Sequence, residues 1–207
     1  LAGVGVAYKL AQAILGEPPV EWTEIVAIGT IADLMPLTGE NRILVSRGLE
    51  SMRRTSFPGI RALMEVSGIA MGSVTATNVA FGMAPRINAS GRLDHAGSAV
   101  ALLTSDDADE AQRLSHALDD LNKERQQVVE SIVEEALGQL QHKCTDGSVP
   151  DVIVLAGEGW NVGVVGIVAS KILERYYRPV IILGSIPKPG CAKVRRDPSR
   201  GLTFTRR

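Results

Sequence analysis

The stretch 106–141, DDADEAQRLSHALDDLNKERQQVVESIVEEALGQLQ, constrains this chain more than any other. It holds no proline and no glycine before Gly138. Leu114, Leu118, Leu121, Val128, Ile132, Leu137 and Leu140 mark an apolar stripe at helical spacing, interrupted at Arg125. Ser105 followed by acids is a good helix start, because carboxylates favour the positive end of a helix. At ~1.5 Å per residue such a helix reaches about 50 Å, too long for one compact core. The spacing therefore predicts a connecting helix, 106–142, between two lobes.

What flanks it differs on the two sides. Upstream, the pattern is mostly helical. Segment 2–15 reads as an apolar helix with small residues. A run from Trp22 to Leu34 places Trp22, Ile25, Ile28 and Leu34 near helical spacing, between Pro18-Pro19 and Pro36. Segment 38–54 is amphipathic with Ile43, Leu44, Leu49 and Met52 inward, and Thr38 with Asn41 is its expected cap. Pro58 opens a short helix over 58–66, and Ser73 is the expected cap of another over 73–83. Downstream, DVIVLAG (151–157) and RPVIILG (178–184) are short apolar strands around a helical 162–177. That β-α-β order implies a parallel pair with a crossover. The fold class expected is α/β, mainly helical in its first part.

Bulk properties exclude several functions. The composition is 45% apolar and 22% charged, with a formal net charge of −1. No apolar run reaches the length of a membrane span, and no signal peptide is expected at Leu1. Cys144 and Cys191 are too few and too scattered for a disulfide framework or a zinc site. The near-zero net charge argues against wholesale electrostatic binding of nucleic acid but is compatible with a local basic groove. His95, His116 and His142 fall on different elements, and a Ser/His/Asp triad has no support. The opening LAGVGVAYKL reads as helix interior, so the chain is expected to be a fragment without its N-terminal part.

Three stretches can carry chemistry. Asp33 in GTIADLMPL falls at the C-terminal end of an apolar helix, where the macrodipole is already negative. It is either paired to an arginine or a ligand to a divalent cation. In GMAPRINASGRLDHA (82–96), Arg86 and Arg92 bracket what reads as a short turn. Two guanidinium forks there suit a phosphate or carboxylate; equally, they pair with surface acids, with Asn88 and Ser90 as turn residues. In GEGWNVGVVGIVAS (157–170) a strand enters a glycine-rich turn and a helix leaves it, a standing anion site. It lacks the P-loop Lys-Ser/Thr and the dinucleotide glycine spacing.

Together, GTIADLMPL, PRINASGRL, the long helix and GWNVGVVGIVASKI followed by RPVIIL resemble the RecJ-type single-strand-specific exonucleases of the DHH phosphoesterase superfamily, from residue 1 to about 193. The resemblance implies the C-terminal part of a DHH domain over 1–105, the linking helix, and a partial α/β DHHA1 lobe over 150–193. It implies two divalent ions, manganese or magnesium, held mostly by aspartates upstream of Leu1, with Asp33 as one further ligand. It implies that Arg86, Asn88 and Arg92 face DNA phosphates and that Asn161 lines the same cleft, where histidine is the commoner residue. The implied activity is 5′-to-3′ hydrolysis of single-stranded DNA in the cytoplasm, with a helicase and a single-strand binding protein supplying substrate. A DHH phosphodiesterase of short oligonucleotides or cyclic dinucleotides is the alternative, against which the long helix and PRINASGR argue. A non-catalytic nucleic-acid-binding module is another.

The tail VRRDPSRGLTFTRR (194–207) carries five arginines and no period. It reads either as a basic grip on nucleic acid or as out of frame. The family continues here with a string like GSARSI, and codons for GSARSIEGLDIHEA shifted by one base encode this tail. The second reading is the expectation.

Overall fold

The structure is a computed structural model that describes residues 1–93, 95–143 and 148–184. The described residues fall into two compact units that divide between Glu135 and Ala136. The expectation for 194–207 and both cysteines lie outside the described residues.

The first unit is helical: α1 (Gly3–Leu15), α2 (Thr23–Ala32), α3 (Gly39–Met52), α4 (Pro58–Val66), α5 (Ala76–Asn78), α6 (Ala84–Leu93), α7 (Gly97–Thr104) and the first part of α8 (Ala108–Lys143). Its core gathers Ile28, Ile31, Met52, Ile60, Leu63, Met64, Met83, Leu102 and Leu118. Helix α2 buries seven of its ten residues, so it forms the hub of the unit, with α1, α3 and α6 packed on it. The approach of α3 is close because position 48 is glycine. A Cβ there would run into the Thr23 carbonyl oxygen and lie 2.6 Å from the Ala27 Cβ.

Several expectations change at this level. Trp22 and Leu34 are exposed, not inward, because the helix proper starts after Trp22 and ends before Leu34. Ile43 is exposed as well; α3 turns Leu44, Val45 and Gly48 inward instead. Thr38 occupies the N-cap position of α3 but its hydroxyl caps nothing, and Asn41 Nδ2 donates back to the Pro36 carbonyl at 3.0 Å. Ser73 ends a 3₁₀ turn, and the cap of α5 is Thr75, which exchanges a capping box with Asn78. At α8 the cap is Asp107, not Ser105: Asp107 Oδ1 accepts from the N–H of Asp109 and of Glu110. Ser105 instead accepts from the Asp107 N–H. A carboxylate offers more acceptor capacity than a hydroxyl to the orphan N–H groups of a long helix.

Residues 82–93 do not form the expected turn. Helix α5 runs through a π-turn, Val79–Met83, directly into α6. Pro85 removes one N–H, and the π-turn immediately before it absorbs the change: the Ala84 N–H reaches back to the Val79 carbonyl. The small residues that mimic a turn, Ala84, Ala89 and Ser90, are buried, and the Ser90 hydroxyl donates back to the Ile87 carbonyl at 2.8 Å. Close packing, not chain reversal, explains them.

The second unit contains the end of α8, then β1 (Ile153–Gly157), α9 (Val165–Tyr176) and β2 (Val180–Gly184). The strands are parallel, with Ile153 opposite Val180 and Gly157 opposite Gly184, as the β-α-β pattern predicts. Trp160, 2% exposed, fills the end of this sheet. A Cβ on Gly157 would enter its indole ring, and one on Gly184 would meet its carbonyl oxygen. Both strand-end glycines are therefore there for Trp160.

Candidate functional site

Asp33 is the C-cap of α2. The helix ends in a complete Schellman motif: the Leu34 N–H donates to the Ile31 carbonyl at 3.0 Å and the Met35 N–H to the Thr30 carbonyl at 3.3 Å. The C′ position of such a motif is normally glycine, because it is left-handed. Here it is Leu34, with φ 52° and 85% of its surface exposed. Its side chain gains no burial in return for that backbone strain. Strain of this kind, held with no packing benefit, clusters at functional sites. We expect Leu34→Gly to stabilise the chain by about 0.5–1 kcal/mol in urea denaturation; an unchanged midpoint would mean that position 34 carries no strain.

The Asp33 carboxylate is exposed, and among the described residues it has no hydrogen-bond or ion-pair partner. The arginine pairing that would have made it merely structural is absent there. Its position at the negative end of α2 leaves it an unneutralised donor of the kind a divalent cation accepts. Among the described residues, however, no three His, Cys, Asp or Glu side chains cluster to hold a metal. Asp33 fits as one ligand, and the remaining ligands have to come from elsewhere.

The arginines of PRINASGR differ sharply. Arg86 points inward. Its Nε donates to Asp119 Oδ1 at 2.9 Å, its Nη1 to the Gly82 carbonyl at 2.7 Å, and its Nη2 to the Val66 carbonyl at 3.2 Å, with an ion pair to Asp119 of 2.8 Å. In this arrangement all three guanidinium nitrogens of Arg86 donate within the first unit, to Asp119 and to two backbone carbonyls, and not from an open loop. Asp119 is 7% exposed and also holds Lys123 Nζ at 2.7 Å. Burial alone would raise its pKa, but the Lys123 hydrogen bond and the Arg86 and Lys123 charges together hold it below the ordinary carboxylate value. In turn, the Asp119 hydrogen bond and charge raise Lys123.

Asn88 and Arg92, by contrast, lie one turn apart on the exposed side of α6. The Asn88 side chain has no partner among the described residues. In the second unit, Asn161 is half-buried and locks the turn before α9. Its Oδ1 accepts the Gly163 N–H at 2.8 Å, and its carbonyl accepts from Val164 and Val165. Its amide NH₂ group remains as a donor. Sequence reasoning missed Asp119 entirely; the only signal was an acid standing directly beside the stripe residue Leu118.

Comparison with known proteins follows the same lines. No family model matches the chain. The chain is similar to the single-stranded-DNA-specific exonuclease RecJ of Bacillus subtilis (strain 168), 48% identical over 204 residues, covering 99% of this chain and 26% of that protein. The exonuclease RecJ of Thermus thermophilus is 43% identical over 185 residues, 87% of this chain and 26% of that protein. The chain thus spans about a quarter of the length of these curated relatives. Among solved structures, RecJ of Thermus thermophilus in complex with Mn2+ superposes with a TM-score of 0.74 at 42% identity, covering 84% of this chain and 26% of that one. The Mg2+ complex from the same organism gives a TM-score of 0.74 as well, at 42% identity, covering 84% of this chain and 27% of that one.

Proposed function

We propose, since this chain belongs to the RecJ family of single-stranded-DNA-specific exonucleases, that the protein of which it is a part hydrolyses phosphodiester bonds of single-stranded DNA from the 5′ end, using manganese or magnesium. The observation that carries this reading is the exposed Asp33 carboxylate, unpartnered among the described residues and displayed by a strained helix end. Divalent ions, when bound, supply charge neutralisation at the scissile phosphate.

The chain's own residues then have distinct tasks. Asp33 presents one anionic oxygen donor to the metal centre. Asn88 and Arg92 donate to phosphate oxygens along the strand, which positions DNA without reading its bases. Arg86, clamped on Asp119, fixes α6 so that those two donors keep their orientation. Within the second unit, the Asn161 amide is a donor suited to a phosphate oxygen, and unlike a histidine it moves no proton. No helix among the described residues is long and apolar enough to cross a membrane; we place the protein in the cytoplasm, where a helicase and a single-strand binding protein supply its substrate.

The lack of a three-donor cluster among the described residues favours a second reading for the 207-residue chain in isolation: it binds nucleic acid without cutting it. Incubating 5′-labelled single strands with manganese tests both. The whole protein should release nucleotides from single strands and spare duplex, while the isolated chain leaves both intact. Cleavage by the isolated chain, or equal rates on duplex and single strands by the whole protein, overturns the respective reading.

A further inference from the structure

Among the described residues, two that are not glycine have a left-handed backbone, Leu34 (φ 52°) and Tyr177 (φ 53°). Each stands just past a helix end, and each leaves its side chain almost fully exposed. Their settings differ. The neighbours of Tyr177 are engaged: Arg175 lies over the Tyr176 ring and Arg178 pairs with Asp151. Leu34 follows Asp33, whose carboxylate has no partner among the described residues.

The turn that carries Leu34 is pinned on both sides. The Leu34 and Met35 N–H groups bond back to the Ile31 and Thr30 carbonyls, and the buried Asn41 amide donates to the Pro36 carbonyl. A backbone fixed in this way can hold a strained residue. Glycine would make the same bonds without the strain. Leucine adds only its side chain, and among the described residues nothing covers that side chain. Consecutive Cα atoms lie about 3.8 Å apart, so a group bound at Asp33 is within reach of it. With Asp33 as a metal ligand, that group is a phosphodiester, flanked by sugar and base. An isobutyl side chain gains nothing from phosphate oxygens or a hydrated ion. A base offers it an apolar face, whichever base it is.

We propose that Leu34 contacts the substrate, its side chain packing on the base of a nucleotide next to the scissile phosphate. This role rests on the reading of Asp33 as a metal ligand and adds to it a residue that orients the nucleotide being cut. The contact is tolerant of sequence, because it uses the face of the base and not its hydrogen-bonding edge. The backbone strain is the cost of presenting an apolar side chain at a helix end where glycine fits best.

The test uses the whole protein with manganese and compares the native form with Leu34→Gly, Leu34→Met and Tyr177→Gly. Each is assayed on 5′-phosphorylated single strands and on matched strands that are abasic at the first two nucleotides. Melting temperature is recorded without DNA. Leu34→Gly should lower kcat/KM on ordinary strands roughly tenfold, hold or raise the melting temperature, and lose little more on abasic strands. The native protein should lose a similar factor when the bases are removed, because each change deletes one side of the same contact. Leu34→Met, of similar volume, should restore most of the activity. Tyr177→Gly relieves the same kind of strain and should leave cleavage unchanged. Native cleavage by a folded Leu34→Gly overturns the assignment. An equal loss by Leu34→Gly on ordinary and abasic strands overturns it too, since Leu34 would then act through Asp33. A melting temperature that falls in the whole protein but rises in the isolated chain places the side chain against the rest of the protein and not against DNA. A matching activity loss in Tyr177→Gly traces the effect to strain relief in general, and the assignment falls. The reading beneath it fails separately: if Asp33→Asn cuts at the native rate, no metal ligand stands beside Leu34, whatever the Leu34 variants do.

Discussion

Replacing Asp33 with asparagine in the whole protein should reduce manganese-dependent hydrolysis of single-stranded DNA by at least roughly 10²–10³-fold, with no loss of fold. The two halves of that result come from different physics. The carboxylate is exposed, with no partner among the described residues, so no native interaction is lost with its charge. Its position at the negative end of α2 is unfavourable, and the neutral amide removes that penalty, about 0.3–1 kcal/mol. Without metal, the variant should therefore melt at the same or a slightly higher temperature. Binding of single strands in the absence of metal should stay within about twofold, because the phosphate donors we propose, Asn88 and Arg92, lie on α6. Manganese should raise the melting temperature of the native protein and do so less in the variant, since a ligand stabilises only the state that binds it. If the variant cuts DNA at the native rate, Asp33 is a helix-end acid and nothing more. If it loses activity only through unfolding, the assignment to metal fails equally.

The long helix, the parallel β-α-β unit and the existence of most of the helices were legible in the sequence, because each rests on a local period. The helix ends were less so. Ser105, Thr38 and Ser73 are good capping residues by type, yet Asp107, Thr75 and a side chain-to-Pro36 bond do the work, since caps are settled by which acceptor reaches the orphan N–H. The larger miss was PRINASGR. Asn, Ser and Gly read as a turn, but burial of Ala84, Ala89 and Ser90 in the core keeps the segment helical. That error changes the chemistry: on a turn both arginines would be free to meet a ligand, whereas on a helix a six-residue offset sends Arg86 inward and Arg92 outward. Asp33 was legible as a misplaced charge. Leu34 was not, because nothing in a one-dimensional pattern says that a leucine has been held where a glycine belongs.

Asp119→Ala should cost the first unit about 3–5 kcal/mol, the largest stability loss we expect from any single polar residue here. The reason is less the attraction lost than the charge left behind. The Arg86 side chain is 17% exposed, and without Asp119 its guanidinium keeps only two carbonyl acceptors, those of Gly82 and Val66. Arg86→Met should be costly for the mirror-image reason, leaving a nearly buried carboxylate with Lys123 alone. The double substitution Arg86→Met with Asp119→Leu should recover most of the loss, because apolar groups of similar volume replace a buried pair with little penalty. Urea denaturation of the four proteins measures this cycle, and simple additivity of the two single losses would show that the pair is not a unit. The pH dependence has a definite sign. The folded-state pKa of Asp119 lies below its ordinary 3.8, so the native state binds its proton less readily than the unfolded chain does. The stabilisation is then complete above about pH 4–5 and is lost as pH falls through 3.8 towards the lower folded value. Asp119→Asn should flatten that part of the acid-denaturation curve. Because Arg86 positions α6, the same substitution should weaken DNA binding through Arg92 and Asn88 even where the protein is still folded. Arg86→Ala should likewise lose affinity only in step with loss of fold or of α6 order, and not as a residue that itself touches phosphate; a folded, native-melting Arg86→Ala with a reduced salt slope would reverse that assignment.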